Sequence, residues 1–320
     1  MNVVLLGAGH WHAERIYVPI VRDLGLRIAG VHDDDPAVRE RRREQWGVPV
    51  FADASELLER TRPDFAFCLG PHADMPRLAL PAAERGIPFL VEKPAGIRAV
   101  DVETLAARCD DRNVFAAVAF AYRWNPGLRA VRDLLAEGRL GRVARVALQY
   151  FAGPPSRYVD DGCAWMLDPR RSGGGCLMNI GTHLVDALHF FGFEPEYVHG
   201  ASCGDIHRLE IEDVSCLVVR MGEAYGLIEC GYCPRAGDKE FAVSVTAERG
   251  NLEYDLSGLL RVSWADGTVE ERRHPTPSVY AEMLRDVLEA AAAGRPPPVG
   301  LHDMVKVLRV LDRFYDEIRV

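Results

Sequence analysis

Three stretches of the sequence combine residue types and spacings that can move a proton or hold an anion. In "FLVEKPAG", Lys93 stands beside Glu92 at the end of an apolar run. An amine there can hydrogen-bond a substrate hydroxyl and exchange its proton; composition alone equally allows a surface lysine before a turn proline. In "SGGGCLMNIGTHLVD", Ser172 to Asp186, three glycines lead into a helical pattern. Asn179 and His183 are four apart and Asp186 is three further on, so all three project from one helix face. Histidine takes and gives protons near neutral pH, whereas Asn179 can only orient or hydrogen-bond a hydroxyl. In "GAGHWHAERIY", Gly7 suits a tight turn and Gly9 suits close backbone approach to a pyrophosphate, with a helix N-terminus behind it. His12 stands where such a turn has its third glycine, so the helix must pack differently on its strand.

The second strand-like run, "IAGVHDDDP", ends in acids about 24 positions after Gly9, where a carboxylate binds the ribose hydroxyls of NAD. Asp33 is assigned that role. Asp34 and Asp35 add negative charge where NADP carries its extra phosphate, and the nearest downstream arginine is Arg39, so NAD is favoured over NADP. His10 and His12 at i and i+2 leave open a metal, a contact of His10, Trp11 or His12 with cofactor or substrate, and plain packing; no third ligand is identifiable, and no metal is expected. Gly70, Pro71 and His72 follow an apolar strand and are further candidates for cofactor contact. The segment "SRYVDDGCAWMLDPRRS" is expected to line the substrate side, with Trp165 and Arg171 among its candidates. "CGYC", Cys230 to Cys233, has redox spacing but lies in a strand-like run, where residues three apart face opposite sides.

These residues need elements to position them. Up to about residue 122, strand and helix patterns alternate: strands at Asn2–Leu6, Arg27–Val31, 48–51, "DFAFCLG", "IPFLVEKP" and "VFAAVAFAYR", with helices between, one of them opened by Ser55. Alternation at this spacing implies βαβ crossovers and a parallel, doubly wound sheet. From 123 the texture changes to a helix near 126–138, a strand at 142–151, a loop over 153–175, a helix near 177–191, five strand-like runs and two closing helices. Alternating, β-branched runs joined by short turns imply a mainly antiparallel sheet. The expectation is an α/β chain with a Rossmann domain, 1–122, and an α+β domain, 123–320, whose sheet has one open face.

The net charge of −9 argues against a generic nucleic-acid surface. No apolar run approaches the roughly 20 residues that span a bilayer, so no membrane partner and a cytoplasmic location are expected. Eight scattered cysteines in a large acidic chain read as buried thiols.

The glycine turn, the acid after the second strand, Glu92-Lys93-Pro94, the "YRWNP" junction at Tyr122–Pro126 and the pattern Gly173, Gly174, Gly175, Asn179, Gly181, His183, Asp186 occur in an order that resembles the Gfo/Idh/MocA oxidoreductases. The likeness runs along essentially the whole chain. It implies that Lys93 is catalytic, that the Lys93–Pro94 peptide is cis, and that Arg123 lies near the cofactor. It also implies that Asn179, His183 and Asp186 meet a sugar or polyol, and that the open sheet face joins copies into a homodimer or homotetramer. Many relatives have Asp where this chain has Asn179, so Lys93 and His183 must share the proton chemistry. His72 occupies the place of the family's usual Asn. The resemblance implies hydride transfer at a carbinol carbon; the competing functions are a non-enzymatic NAD(P) sensor and an NAD-dependent glycoside hydrolase.

Overall fold

A computed structural model describes residues 1–233, 240–276 and 278–318. It divides into two units. The first comprises Met1–Ala119, Ser156–Gly173 and Tyr280–Lys306; the second comprises Phe120–Pro155, Gly174–Val279 and the chain from Val307. The first crossing falls three residues before the expected cut at 122–123, and two later segments return to the first unit.

The first unit is built on six strands, β1 (Asn2–Leu6), β2 (Arg27–His32), β3 (Val50–Phe51), β4 (Phe65–Cys68), β5 (Phe89–Val91) and β6 (Ala116–Val118). Every pairing is parallel and the order is β3-β2-β1-β4-β5-β6. This is the doubly wound sheet that the alternation implied. Val3, Val4, Leu5 and Leu6 are fully buried, as are Phe67 and Leu90, which is why these strands read as unbroken apolar runs. The order reverses between β1 and β4, the place where open parallel sheets bind ligands.

Local chemistry sets the helix ends. Asp35 caps Pro36–Trp46 by accepting the Ala37 N–H at 2.8 Å, and Gly47 ends that helix in the left-handed region. The next helix, Ala54–Thr61, is capped by Asp53, which accepts the Glu56 N–H at 2.7 Å; Ser55 lies inside it and does not open it. After Gly9 the chain does not enter a regular α-helix: Ala13–Tyr17 is a wide, π-helical turn before Val18–Asp23. The expected loop over 153–175 holds three short helical turns, Ser156–Asp160, Ala164–Leu167 and Pro169–Ser172.

Among the described residues the second unit carries eight strands: β7 (Val143–Phe151), β8 (Glu196–Cys203), β9 (Val214–Met221), β10 (Ala224–Gly231), β11 (Glu240–Ala247), β12 (Gly250–Asp255), β13 (Leu259–Trp264) and β14 (Val269–Arg273). Their order is β14-β13-β12-β11-β7-β10-β9-β8. All pairs are antiparallel except β7 with β10, which run parallel with Tyr225 opposite Arg145. Along β7 and β11, buried residues such as Val146, Leu148, Val243 and Val245 alternate with half-exposed ones, so one face is covered and the other open. The helices Pro126–Ala136 and Thr182–Phe190 pack on this sheet. The latter follows a second wide turn, Leu177–Gly181. Among the described residues, no helix is long and apolar enough to cross a membrane.

Candidate active site

In the first unit, β1 delivers its chain end into the glycine turn. Gly7 has φ +86°, and a Cβ on it would lie 2.8 Å from the Gly70 backbone nitrogen; only glycine fits. The N–H groups of Gly7 and Ala8 both donate to the His32 carbonyl at the end of β2, at 2.9 and 3.0 Å. That closure brings Asp33 against the turn: its Oδ2 accepts the Gly9 N–H at 2.7 Å and its Oδ1 accepts the Asp35 N–H at 3.0 Å. Burial pushes the Asp33 carboxyl up, and those two N–H donors oppose the push. Two cations stand close by but are engaged. Arg39 donates to the carbonyls of Asp33 and Asp34 at 2.7 and 2.9 Å, and Arg77 pairs with the Asp34 carboxylate.

A cavity of about 260 Å³ lies along the turn, lined by Gly7, Gly9, His10, Asp33, Gly70, Pro71, Trp165 and Arg171. These residues fit a dinucleotide. The carboxylate faces the turn from the end of β2, where it could accept ribose hydroxyls, and neither glycine places a side chain between the backbone and a pyrophosphate. Trp165 and Arg171 were expected on the substrate side. The structure puts them on this cavity because the 156–173 segment packs on the first unit; the Trp165 ring lies 5.8 Å from His10 and 5.0 Å from His72, and Arg171 stands 3.7 Å from Asp74.

Behind the cavity is a buried cluster of ionisable groups. Glu92 is fully buried, and its Oε1 accepts from His12 Nδ1 at 2.7 Å and from the Tyr17 hydroxyl at 3.0 Å. Its Oε2 accepts the backbone N–H of Lys93 at 3.0 Å. Burial alone would raise the Glu92 carboxyl; the charge and hydrogen bond of His12, with His10 and Lys93 behind them, outweigh it and hold the group at about 2. Lys93 is 5% exposed, and burial lowers its ammonium to about 8 against the opposing pull of Glu92. The Lys93–Pro94 peptide is cis.

The histidines take defined roles. The ionised Glu92 carries no proton, so His12 donates from Nδ1. The His12 backbone N–H donates to His10 Nδ1 at 3.1 Å, so that nitrogen of His10 is an acceptor. Burial lowers His10 well below its ordinary value, with His12 adding to the effect. His72 donates from Nδ1 to the Ser172 carbonyl at 2.7 Å, and burial together with Lys93 lowers it to about 3. The pair at i and i+2 therefore splits: His10 lines the cavity, whereas His12 turns to Glu92. The Trp11 ring is near-parallel to that of His10 at 6.2 Å and edge-on to that of His12 at 3.8 Å between centroids. Among the described residues, no group of three or more His, Cys, Asp or Glu is placed to hold a metal ion.

The second unit holds the other candidates. His183 is 8% exposed, with the rings of Tyr122 at 4.6 Å and Phe120 at 6.2 Å. Asn179 sits in the wide turn and donates from Nδ2 to the Tyr232 hydroxyl at 3.2 Å, which in turn donates to the Gly175 carbonyl. Asp186 and Arg123, expected against substrate and cofactor respectively, hold each other. Arg123 Nε lies 3.1 Å from both carboxylate oxygens and Nη2 lies 2.6 Å from Oδ1. The run of glycines before this helix has a packing cause: a Cβ on Gly175 would lie 2.1 Å from the Glu212 carbonyl oxygen. Sequence reasoning missed Tyr17 and Tyr232: each falls inside a stretch singled out for other residues, and no helical or strand spacing links it to its partner.

Two family models match the chain. The oxidoreductase family with an NAD-binding Rossmann fold matches residues 1–120, and the GFO/IDH/MocA C-terminal domain matches residues 128–253. Among curated relatives, D-xylose 1-dehydrogenase (NADP(+)) 2 of Haloferax volcanii is 26% identical over 93% of this chain and 92% of its own. An oxidoreductase subunit of Amycolatopsis mediterranei, named for UDP-kanosamine synthesis, is 29% identical over 59% of this chain; the match spans about half, 51%, of that relative. Among solved structures, an oxidoreductase from Agrobacterium radiobacter, in complex with NAD+, L-tartaric acid and magnesium, shares the fold with a TM-score of 0.87 at 17% identity, over 100% of this chain and 96% of that one.

Proposed function

This chain belongs to the Gfo/Idh/MocA oxidoreductase family, whose first domain is an NAD-binding Rossmann fold, and on that premise we propose that it transfers a hydride between NAD and a carbinol carbon of a sugar, cyclitol or sugar derivative. The observation that carries the reading is Lys93: an amine nearly sealed from water, lowered to about 8, just past the end of β5 in the unit that holds the cofactor turn. Bound NAD supplies the hydride acceptor. The chain's own residues do the rest. Gly7 and Gly9 admit the pyrophosphate, Asp33 takes the ribose hydroxyls, and Lys93 Nζ exchanges the proton of the reacting hydroxyl. His183 is assigned a share in that proton chemistry and Asn179 the orientation of a substrate hydroxyl. The sugar substrate named for the Haloferax relative supports the substrate class.

The test is an NADH fluorescence titration followed by a screen of polyols for NADH production. Cofactor binding with no turnover on any polyol would favour a sensor. Release of an aglycone without net NADH would favour a glycoside hydrolase.

Two expected results follow from the site. As a base for oxidation Lys93 must be uncharged, so the oxidative kcat/KM is expected to rise with pH and level off above about 8. The reverse reduction needs the ammonium and is expected to fall through the same range. Asp33→Ser is expected to weaken NAD binding roughly tenfold or more, by loss of charge-assisted hydrogen bonds, and to narrow the preference over NADP; paired titrations with NADH and NADPH check both. The open face of the eight-stranded sheet is read as the surface that joins two or four copies, which sedimentation measures.

A further inference from the structure

His12 stands where the sequence pattern has a third glycine, and the structure gives it a partner that glycine could not have. Its imidazole and the Tyr17 hydroxyl reach the same oxygen of Glu92, and all three side chains are buried. Residues five apart would diverge by about 140° on an α-helix. The wide turn Ala13–Tyr17, with its i→i+5 bonding, stacks them instead. The other oxygen of Glu92 accepts the backbone N–H of Lys93. A chain of contacts therefore runs from the cofactor turn through one carboxylate to the lysine.

We infer that His12 is a positioning residue for Lys93: with Tyr17 it clamps Glu92, and the clamped carboxylate fixes the backbone and the charge beside the lysine ammonium. The inference rests on the reading of Lys93 as the proton-exchanging group. Two donors on Oε1 draw the carboxylate charge toward the helix; removing one leaves more of that charge acting on Lys93 and favours its protonated form. The groups facing this centre are His10, His12 and Tyr17 from the turn and its helix, His72 after β4, Cys68 at the end of β4, and Tyr280, whose ring lies 5.3 Å from His12.

The chain suits a direct measurement, because only three of its 38 basic residues are lysines: Lys93, Lys239 and Lys306. Labelling the lysine side chains with ¹³C at Cε gives three NMR signals, assigned with Lys239→Arg and Lys306→Arg, and each can be titrated in the 320-residue chain without any substrate. His12→Ala is expected to move the Lys93 midpoint upward by about half a pH unit or more. His12→Gln, which keeps an N–H donor, is expected to stay within about a quarter unit of the native protein. Tyr17→Phe, which removes one hydroxyl and little volume, is expected to move it upward as well, and it reports on the same oxygen if His12→Ala does not fold by circular dichroism. An unmoved midpoint in the folded His12→Ala or in Tyr17→Phe overturns the inference, as does an equal shift in His12→Gln. Absence of turnover with every polyol would instead count against the proposed reaction and leave the lysine shift standing.

Discussion

Lys93→Ala is expected to bind NADH much as the native protein does and to lose turnover by a factor of roughly 100 or more. The side chain is 5% exposed, lies past β5 and does not line the cavity along the glycine turn. Its removal therefore deletes the proposed proton carrier and leaves the glycine turn and Asp33 in place. Lys93→Arg is expected to rescue none of the loss. A guanidinium does not release its proton in a protein, and its planar fork needs a different site. The arginine-rich composition gives this contrast force: nearly every other cation in the chain is already arginine. Steady-state kcat with the best polyol of the screen, beside an NADH titration of the same variant, separates the two effects. Native turnover in Lys93→Ala would remove the lysine from the mechanism.

Asp186→Ala is expected to destabilise the protein by about 3–5 kcal/mol, because it leaves a largely buried guanidinium without its counter-charge. The Asp186 side chain is 3% exposed and that of Arg123 is 14% exposed. The pair is bidentate, so the carboxylate supplies both charge and the acceptor geometry that a fork requires. Replacing both residues by leucine is expected to recover part of the loss, since the stranded charge goes with its partner. Urea denaturation of the single and double variants measures the difference. A single variant as stable as the native protein would show the pair to be incidental to stability.

Much of the fold was legible because its cause is local. Strands buried on both faces read as apolar runs, and the turn at Gly7 has the one residue its backbone tolerates. Strands β12 and β14 were not legible. "GNLEYD" alternates buried and exposed residues, but over only six positions and with Leu252 and Tyr254 as its large apolar groups, and "VEERR" has a single apolar residue; neighbours in the sheet hold them in line. Asp53, two positions before Ser55, caps that helix because its carboxylate reaches the Glu56 N–H. That Trp165 and Arg171 line the cavity at the glycine turn was not legible for a different reason. Their segment lies 36 residues or more beyond the first crossing at Ala119, and nothing local announces that it returns to the first unit. Tyr17 was invisible to α-helical periodicity, which sets it on another face from His12.

The two wide turns carry a consequence for reading relatives of this chain. A turn closed by i→i+5 bonds holds one residue more than an α-helical turn over nearly the same rise. In Ala13–Tyr17 and again in Leu177–Gly181, side chains before and after the turn keep a phase that an uninterrupted helix would reach with one residue fewer. A gapless alignment with a chain that has a plain α-helical turn at either place would assign roles one place off, by about 100° of helix rotation. Residue equivalences for Tyr17 and for His183 are therefore to be taken from superposed coordinates, and the residue to leave unmatched belongs inside the turn.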